Sequence, residues 1–303
     1  MENCNEEIQI LQQITYNLGK HILSVLDEHS ISHDTINEDS KDFAGEAFLL
    51  WANSIRKRVE ICPRKVNISS ELKEKMSRPD FATETKLIEA FAAKMESGEN
   101  INGHLSKLIY NADKWDYLLN QWNIRHLHLC EVPANNKSEM SKNRSALLLF
   151  FIVTKTDAYF LDVRPHPKGS GFTALDFLKL AEHNGWIDLC GGMLCEDIIP
   201  GSLQPSITSN DDVYFFFKNH LNIPFEVNQK YYFFMGTTSY GNKVEDTFLW
   251  NRLQKELLNI IKTELGKCRE IQAVDYDLES GNIILIAKDK FDGCVTKVVV
   301  PIL

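Results

Sequence analysis

Ile124-Arg125-His126-Leu127-His128-Leu129-Cys130, Ala146-Leu-Leu-Leu-Phe-Phe-Ile-Val153 and Ala158-Tyr-Phe-Leu-Asp-Val163 are the three runs whose reading decides the fold. Each is short, rich in β-branched, aromatic or leucine side chains, and bounded by polar residues, which is the pattern of strands. Thr154-Lys-Thr-Asp157 between the last two has the length and polarity of a hairpin turn, while residues 134–143 form a longer polar loop between the first two. Alternation along a strand puts His126 and His128 on one face. Two imidazoles on one rigid face suit proton transfer near neutral pH or metal ligation. The same stretch supplies Arg144 before the second strand, and Arg164 and His166 at the end of the third. These five side chains, His126, His128, Arg144, Arg164 and His166, are the candidate catalytic residues.

Outward from this sheet the patterning changes. Residues 6–28 place Ile10, Leu11, Ile14, Leu18, Ile22 and Val25 at three- and four-residue steps, which predicts an amphipathic helix. Further helices are expected over 43–59, 69–79, 83–97 and 113–121, the last capped by Asp113. The first 120 residues therefore read as a helical region. Beyond the central sheet, residues 173–183 predict a helix with Thr173 as its cap. Strands follow at 212–218 and 229–235, then a polar loop, Gly236-Thr-Thr-Ser-Tyr-Gly241, and a long helix at 244–265. Three closing strands near 270–277, 282–288 and 294–301 predict a meander, with a turn at Glu279-Ser-Gly-Asn282. The expected fold is α+β in three parts: a helical domain to residue 120, an antiparallel sheet carrying the site over 121–190, and a C-terminal α/β part over 191–303.

Composition narrows the class. The chain has 303 residues and a net charge of −9, which disfavours a general affinity for nucleic acid. Between residues 121 and 170, however, seven Lys/Arg face four Asp/Glu, a local excess of +3 before three histidines are counted. A basic spot in an acidic body fits a phosphate-bearing substrate held at one place. The longest apolar run, residues 147–153, is far short of the ~20 residues that span a bilayer, and the acidic start lacks the features of a secretory signal. Seven scattered cysteines without a Cys-x-x-Cys pair are expected to be reduced and mostly buried, in a cytoplasmic protein.

The order of His126-Leu-His128, then Arg144 opening an apolar strand, then a strand ending Arg164-Pro-His166 resembles the small sheet of bacterial toxin endoribonucleases of the RelE/ParE superfamily. The resemblance covers about 45 of the 303 residues. Histidines stand where that family often has arginines, and related barnase-like and colicin-like RNases use histidine pairs. The resemblance implies a metal-independent endoribonuclease of toxin or anti-phage type, with no cofactor and an RNA substrate. An antitoxin or regulatory protein would be its partner. His126 and His128 would act as base and acid, Arg144 as phosphate clamp, and Arg164 or His166 as second clamp or alternative acid.

Other readings use the same residues. A His-x-His strand can present two imidazoles to a metal, completed by His166 with Asp162 or His183. Alternatively the face is a non-enzymatic surface that binds nucleic acid or a partner, or a solvated one on which Arg144 and Arg164 pair with Glu139 and Asp162. Arg56-Lys-Arg58 with Arg64-Lys65 reads as a solvated helix end, and Gly236–Gly241 as a loop rather than a phosphate cradle. Trp51, Phe48 and Phe91 read as helix core, while His21, His29, His33, His104 and His220 stand isolated.

Overall fold

Leu147–Val153 is apolar on both of its faces because it is a central strand covered on both sides. The computed structural model describes residues 2–302 except 135–136, 141–144, 168–171, 173, 200, 203–206, 208, 240–241, 268 and 279–280. Its elements run α1 (Glu2–Glu28), α2 (Phe43–Arg56), β1 (Lys65–Ile68), α3 (Ser70–Met76), α4 (Ala82–Ser97), α5 (Tyr117–Trp122), β2 (Arg125–His128), α6 (Lys137–Met140), β3 (Leu147–Val153) and β4 (Asp157–Pro165). They continue with α7 (Asp176–His183), β5 (Gly192–Leu194), α8 (Asn210–Lys218), β6 (Pro224–Val227), β7 (Lys230–Phe234), α9 (Val244–Gly266), β8 (Arg269–Asp277), β9 (Asn282–Asp289) and β10 (Val295–Pro301). The architecture is α+β, with a helical N-terminal region, small sheets and a closing antiparallel meander.

The chain divides into two compact units, and not at the boundaries expected near residues 120 and 190. One unit joins Met1–Ile55, Asn111–Asp113 and Glu245–Leu303; the other is Arg56–Tyr110 with Lys114–Val244. The physical reason in the first unit is a shared core. Ile14, Leu18, Ile22 and Leu26 of α1 pack with Phe43, Phe48 and Trp51 of α2, Leu253, Leu257 and Ile261 of α9, and Ile283, Leu285 and Val300 of the meander β10-β9-β8. Neither end of the chain buries its apolar stripe alone.

The second unit is built around a four-stranded sheet of order β1-β4-β3-β2. β2, β3 and β4 pair antiparallel. β1 joins β4 in parallel, so the first 120 residues are not wholly helical as expected. One face carries Leu148, Phe150, Ile152 and Leu161 against Phe177 and Leu178 of α7. The other carries Leu127, Leu149, Phe151, Phe160 and Val163 against Leu72 of α3 and Ile88, Phe91 and Met95 of α4. A smaller sheet of order β5-β7-β6 completes the unit.

Three local expectations are corrected. Residues 212–218 form helix α8 rather than a strand. Ser209 accepts from the Asp212 backbone while the Asp212 carboxylate accepts from the Ser209 backbone, a capping box that starts the helix and buries Val213 and Phe217 one turn apart. We expect Ser209→Ala to cost about 1 kcal/mol, measured as a lower urea midpoint; an unchanged midpoint would remove the box from this account. The cap of α5 is Asp116, which accepts from Leu119 N, whereas Asp113 accepts from Asp34 N at 2.9 Å. The five cysteines described are free but mostly not buried: Cys190 is, Cys62, Cys130 and Cys195 are half-buried, and Cys294 is exposed. Thr173 and the Glu279-Ser280 part of the expected turn lie outside the described residues.

Candidate active site

Alternation along β2 sends Leu127 to the α3–α4 core and leaves His126 and His128 on the opposite face. The register then sets His126 beside Phe150 and Phe150 beside Asp162, and sets His128 beside Leu148 and Leu148 beside Arg164. His166 continues the row, its backbone N–H donating to Ala146 O at 2.8 Å. Four of the five expected residues therefore share one sheet face. Arg144 lies outside the described residues. At about 4.8 Å between strands, the Cα atoms of His128 and Arg164 are roughly 10 Å apart, with the fully buried Leu148 between them.

A bulge decides that arrangement. At the hairpin end Val153 pairs with Ala158 and Phe151 with Phe160, but Phe150 pairs with Asp162, so Leu161 is an extra residue. Unbroken pairing would set Leu149 opposite Asp162 and Leu147 opposite Arg164, turning both charges into the apolar α3–α4 core. Ser69, itself buried, holds the bulge: its hydroxyl donates to Leu161 O at 2.7 Å and its backbone N–H to Phe160 O at 3.0 Å.

The three histidines differ in surroundings. His126 is 8% exposed, and its ring lies 6.0 Å from Phe150 and 5.3 Å from Phe172. Its buried Nδ1 has no hydrogen-bond partner among the described residues, and Asp116 Oδ2 is 3.9 Å away. Burial, with a smaller effect of His166, pushes its pKa down against the pull of Asp116. His128 is 7% exposed, and its Nδ1 lies 3.3 Å from Ser145 O. His166 is exposed, and its Nδ1 lies 3.0 Å from Pro167 O. A carbonyl only accepts, so in both rings Nδ1 carries the proton and Nε2 the lone pair of the neutral form. The rings of His128 and His166 stack at 6.1 Å and 24°, and Phe172 meets His166 edge-on at 5.3 Å. The ring contact thus joins His128 to His166, not to His126.

Arg164 is held in place. Its Nε donates to Asp162 Oδ2 at 2.7 Å, and its guanidinium lies 4.3 Å from the Phe177 ring centroid. Asp162 is buried and also accepts from Lys75 Nζ at 2.5 Å and Val163 N at 2.8 Å. The pairing expected of a solvated face, Arg164 with Asp162, is therefore present, but on a buried carboxylate whose two cations are half-buried. Two cations meet one carboxylate there, leaving a positive balance. Lys75 and Phe172 had no role in the sequence reading, because only the tertiary register brings them to this face.

His104, read as isolated, is 1% exposed. Lys94 Nζ lies 3.3 Å from its Nε2 and Cys130 Sγ 3.5 Å from its Nδ1. Burial first, then Lys94 and His128, push its pKa down to about 4. The unfolded ring takes a proton near 6.5 while the folded ring stays neutral. Its contribution to stability is therefore present above pH 6.5 and lost as pH falls from 6.5 to about 4. We expect a loss on the order of 1–3 kcal/mol across that window, reduced in His104→Gln; urea midpoints at pH 7 and 4.5 that shift equally in both proteins would refute it.

Lys57 and Arg64 are buried rather than solvated, and Arg64 donates to Thr154 O, Glu60 O and Cys62 O at 2.7–3.2 Å. Gly236 abuts Gln121 so closely that a Cβ would lie 1.7 Å from its Oε1, and Gln121 Nε2 donates to Thr237 Oγ1. Tyr240 and Gly241 lie outside the described residues. His183 is two-thirds exposed on α7, 3.9 Å from Glu71. Among the described residues no group of three or more His, Cys, Asp or Glu is placed to hold a metal ion, and no helix is long and apolar enough to cross a membrane. Comparison with protein-family models, with curated proteins and with solved structures gives no significant match to this chain.

Proposed function

We propose that the chain is a metal-independent endoribonuclease that uses His128 and His166 as its proton-transfer pair and Arg164 as its phosphate clamp. The observation that carries this reading is the stacked His128–His166 pair, each ring tied through Nδ1 to a backbone carbonyl, on the same sheet face as an anchored guanidinium. Cleavage of RNA without a metal needs a base for the 2′-hydroxyl proton, an acid for the leaving 5′-oxygen, and a cation for the charge growing on phosphorus oxygens. A neutral imidazole takes the 2′-hydroxyl proton at Nε2, and the other ring, protonated, gives its Nε2 proton to the leaving 5′-oxygen. The guanidinium, always charged and fork-shaped, supplies the third. His126, buried beside Phe172 and held neutral, supports the ring stack instead of transferring protons.

The test is cleavage of single-stranded RNA by the purified chain with and without EDTA. Equal rates, with 2′,3′-cyclic phosphate ends on the products, are expected from this chemistry. Activity that vanishes with EDTA and returns with zinc or manganese would replace the proposal by metal-assisted hydrolysis on the same histidines.

A further inference from the structure

Among the described residues, Arg58 carries a charge with no acidic counterpart. Arg64, Arg78, Arg164 and Arg252 each lie within 4 Å of a carboxylate. Arg58 meets no carboxylate among the described residues. Its guanidinium lies 5.6 Å from the Tyr110 ring centroid, and its only hydrogen bond there is a long one, 3.5 Å, to Ile109 O. Burial already disfavours its charged form and lowers its pKa. A half-buried guanidinium so poorly satisfied is costly unless an anion joins it.

Beside it is a cavity of about 360 Å3. Its walls are held in place. Asn102 accepts from Val59 N at 2.7 Å and donates to Val59 O at 2.9 Å, so both ends of its amide are held by one backbone residue. Ala134 N donates to Gly103 O at 3.0 Å, and a Cβ on Gly103 would lie 2.6 Å from Ala134 O, so the two walls meet only because residue 103 is glycine. The Asn100 carbonyl oxygen accepts from Asn102 N, which leaves its amide NH2 for a ligand. Arg58, the Asn100 amide and the Tyr110 hydroxyl can all donate, and among the described residues no acidic side chain lines the cavity.

We propose that this cavity is a binding site for a small organic monocarboxylate. A single positive charge balances a monoanion, whereas a phosphate dianion would leave a net negative charge half-buried. The flat carboxylate matches the in-plane fork of a guanidinium, and Ile109, Pro133 and Ala134 offer apolar contact to a compact body. The site is independent of the histidine face.

The experiment is calorimetric titration of the full chain with benzoate, its neutral isostere benzamide, and inorganic phosphate. Saturable binding of benzoate is expected, without binding of benzamide or phosphate at the same concentrations. Arg58→Gln should weaken benzoate about tenfold or more, as loss of a charged hydrogen-bonding partner does, while His128→Ala binds it normally. Benzamide binding as well as benzoate, phosphate binding more tightly, or full affinity in a folded Arg58→Gln protein would overturn the proposal. So would the absence of benzoate binding at tens of millimolar. Should Arg58→Gln fail to fold, the comparison of benzoate with benzamide on the wild-type chain decides alone.

Discussion

His128→Ala and His166→Ala are each expected to lower the rate of RNA cleavage by about 10²-fold or more, the usual effect of removing a proton-transfer group. His126→Phe, which keeps an aromatic ring beside Phe150 and Phe172, should lose far less. That ordering separates the arrangement seen in the fold from the one implied by spacing in the sequence, where His126 and His128 stood as the pair. Arg164→Lys should also slow cleavage, because a point charge lacks the bidentate grip of a guanidinium and its stacking over Phe177. Single-turnover rates on a short RNA, with melting curves to show that each variant is folded, make the comparison. Equal loss in His126→Phe and His166→Ala would sink the assignment of the pair. Full activity in His128→Ala would sink the site.

Asp162→Asn should act on stability and on cleavage together. The carboxylate is 4% exposed and receives Lys75, Arg164 and the Val163 N–H. The amide cannot neutralise two cations, although it preserves shape. Breaking a buried ion pair by removing one partner costs on the order of 3 kcal/mol, a drop of roughly 6–12 °C in melting temperature for a unit of this size. Arg164 loses its anchor at the same time, so cleavage should fall even at temperatures where the variant is folded. Pairing the change with Lys75→Met tests the cause. If the network is responsible, the double variant is less unstable than the sum of the two single changes, since the stranded ammonium is gone. Strict additivity, or a melting temperature unchanged by Asp162→Asn, would show that the network contributes little.

Much of the local structure is legible in the residues. The three-and-four spacing of Ile14, Leu18 and Ile22 marks α1, and the polar run Thr154–Asp157 marks the β3–β4 hairpin. The alternating runs of the closing segment mark the meander, whose strands β8, β9 and β10 pair antiparallel in chain order. Where the reading failed, a local signal was outweighed. Val213-Tyr-Phe-Phe-Phe217 looks like a strand by aromatic content. The Ser209–Asp212 box and the one-turn spacing of Val213 and Phe217 make it a helix, and that box was available in the sequence. Lys65-Val-Asn-Ile68 is too short to declare itself, and becomes a strand only because β4 offers it an edge.

The candidate site follows the same division. Sequence by itself determined that His126 and His128 share a face, because side chains alternate along any strand, and that β3 is central, because it is apolar on both faces. Tertiary structure alone decided that Asp162, Arg164 and His166 join them. One extra residue, Leu161, shifts the β4 register by one and turns those side chains from the α3–α4 core to the histidine face. Nothing in the run Ala158-Tyr-Phe-Leu-Asp-Val announces that bulge. It is stabilised from 92 residues away in sequence, by the Ser69 hydroxyl on the Leu161 carbonyl.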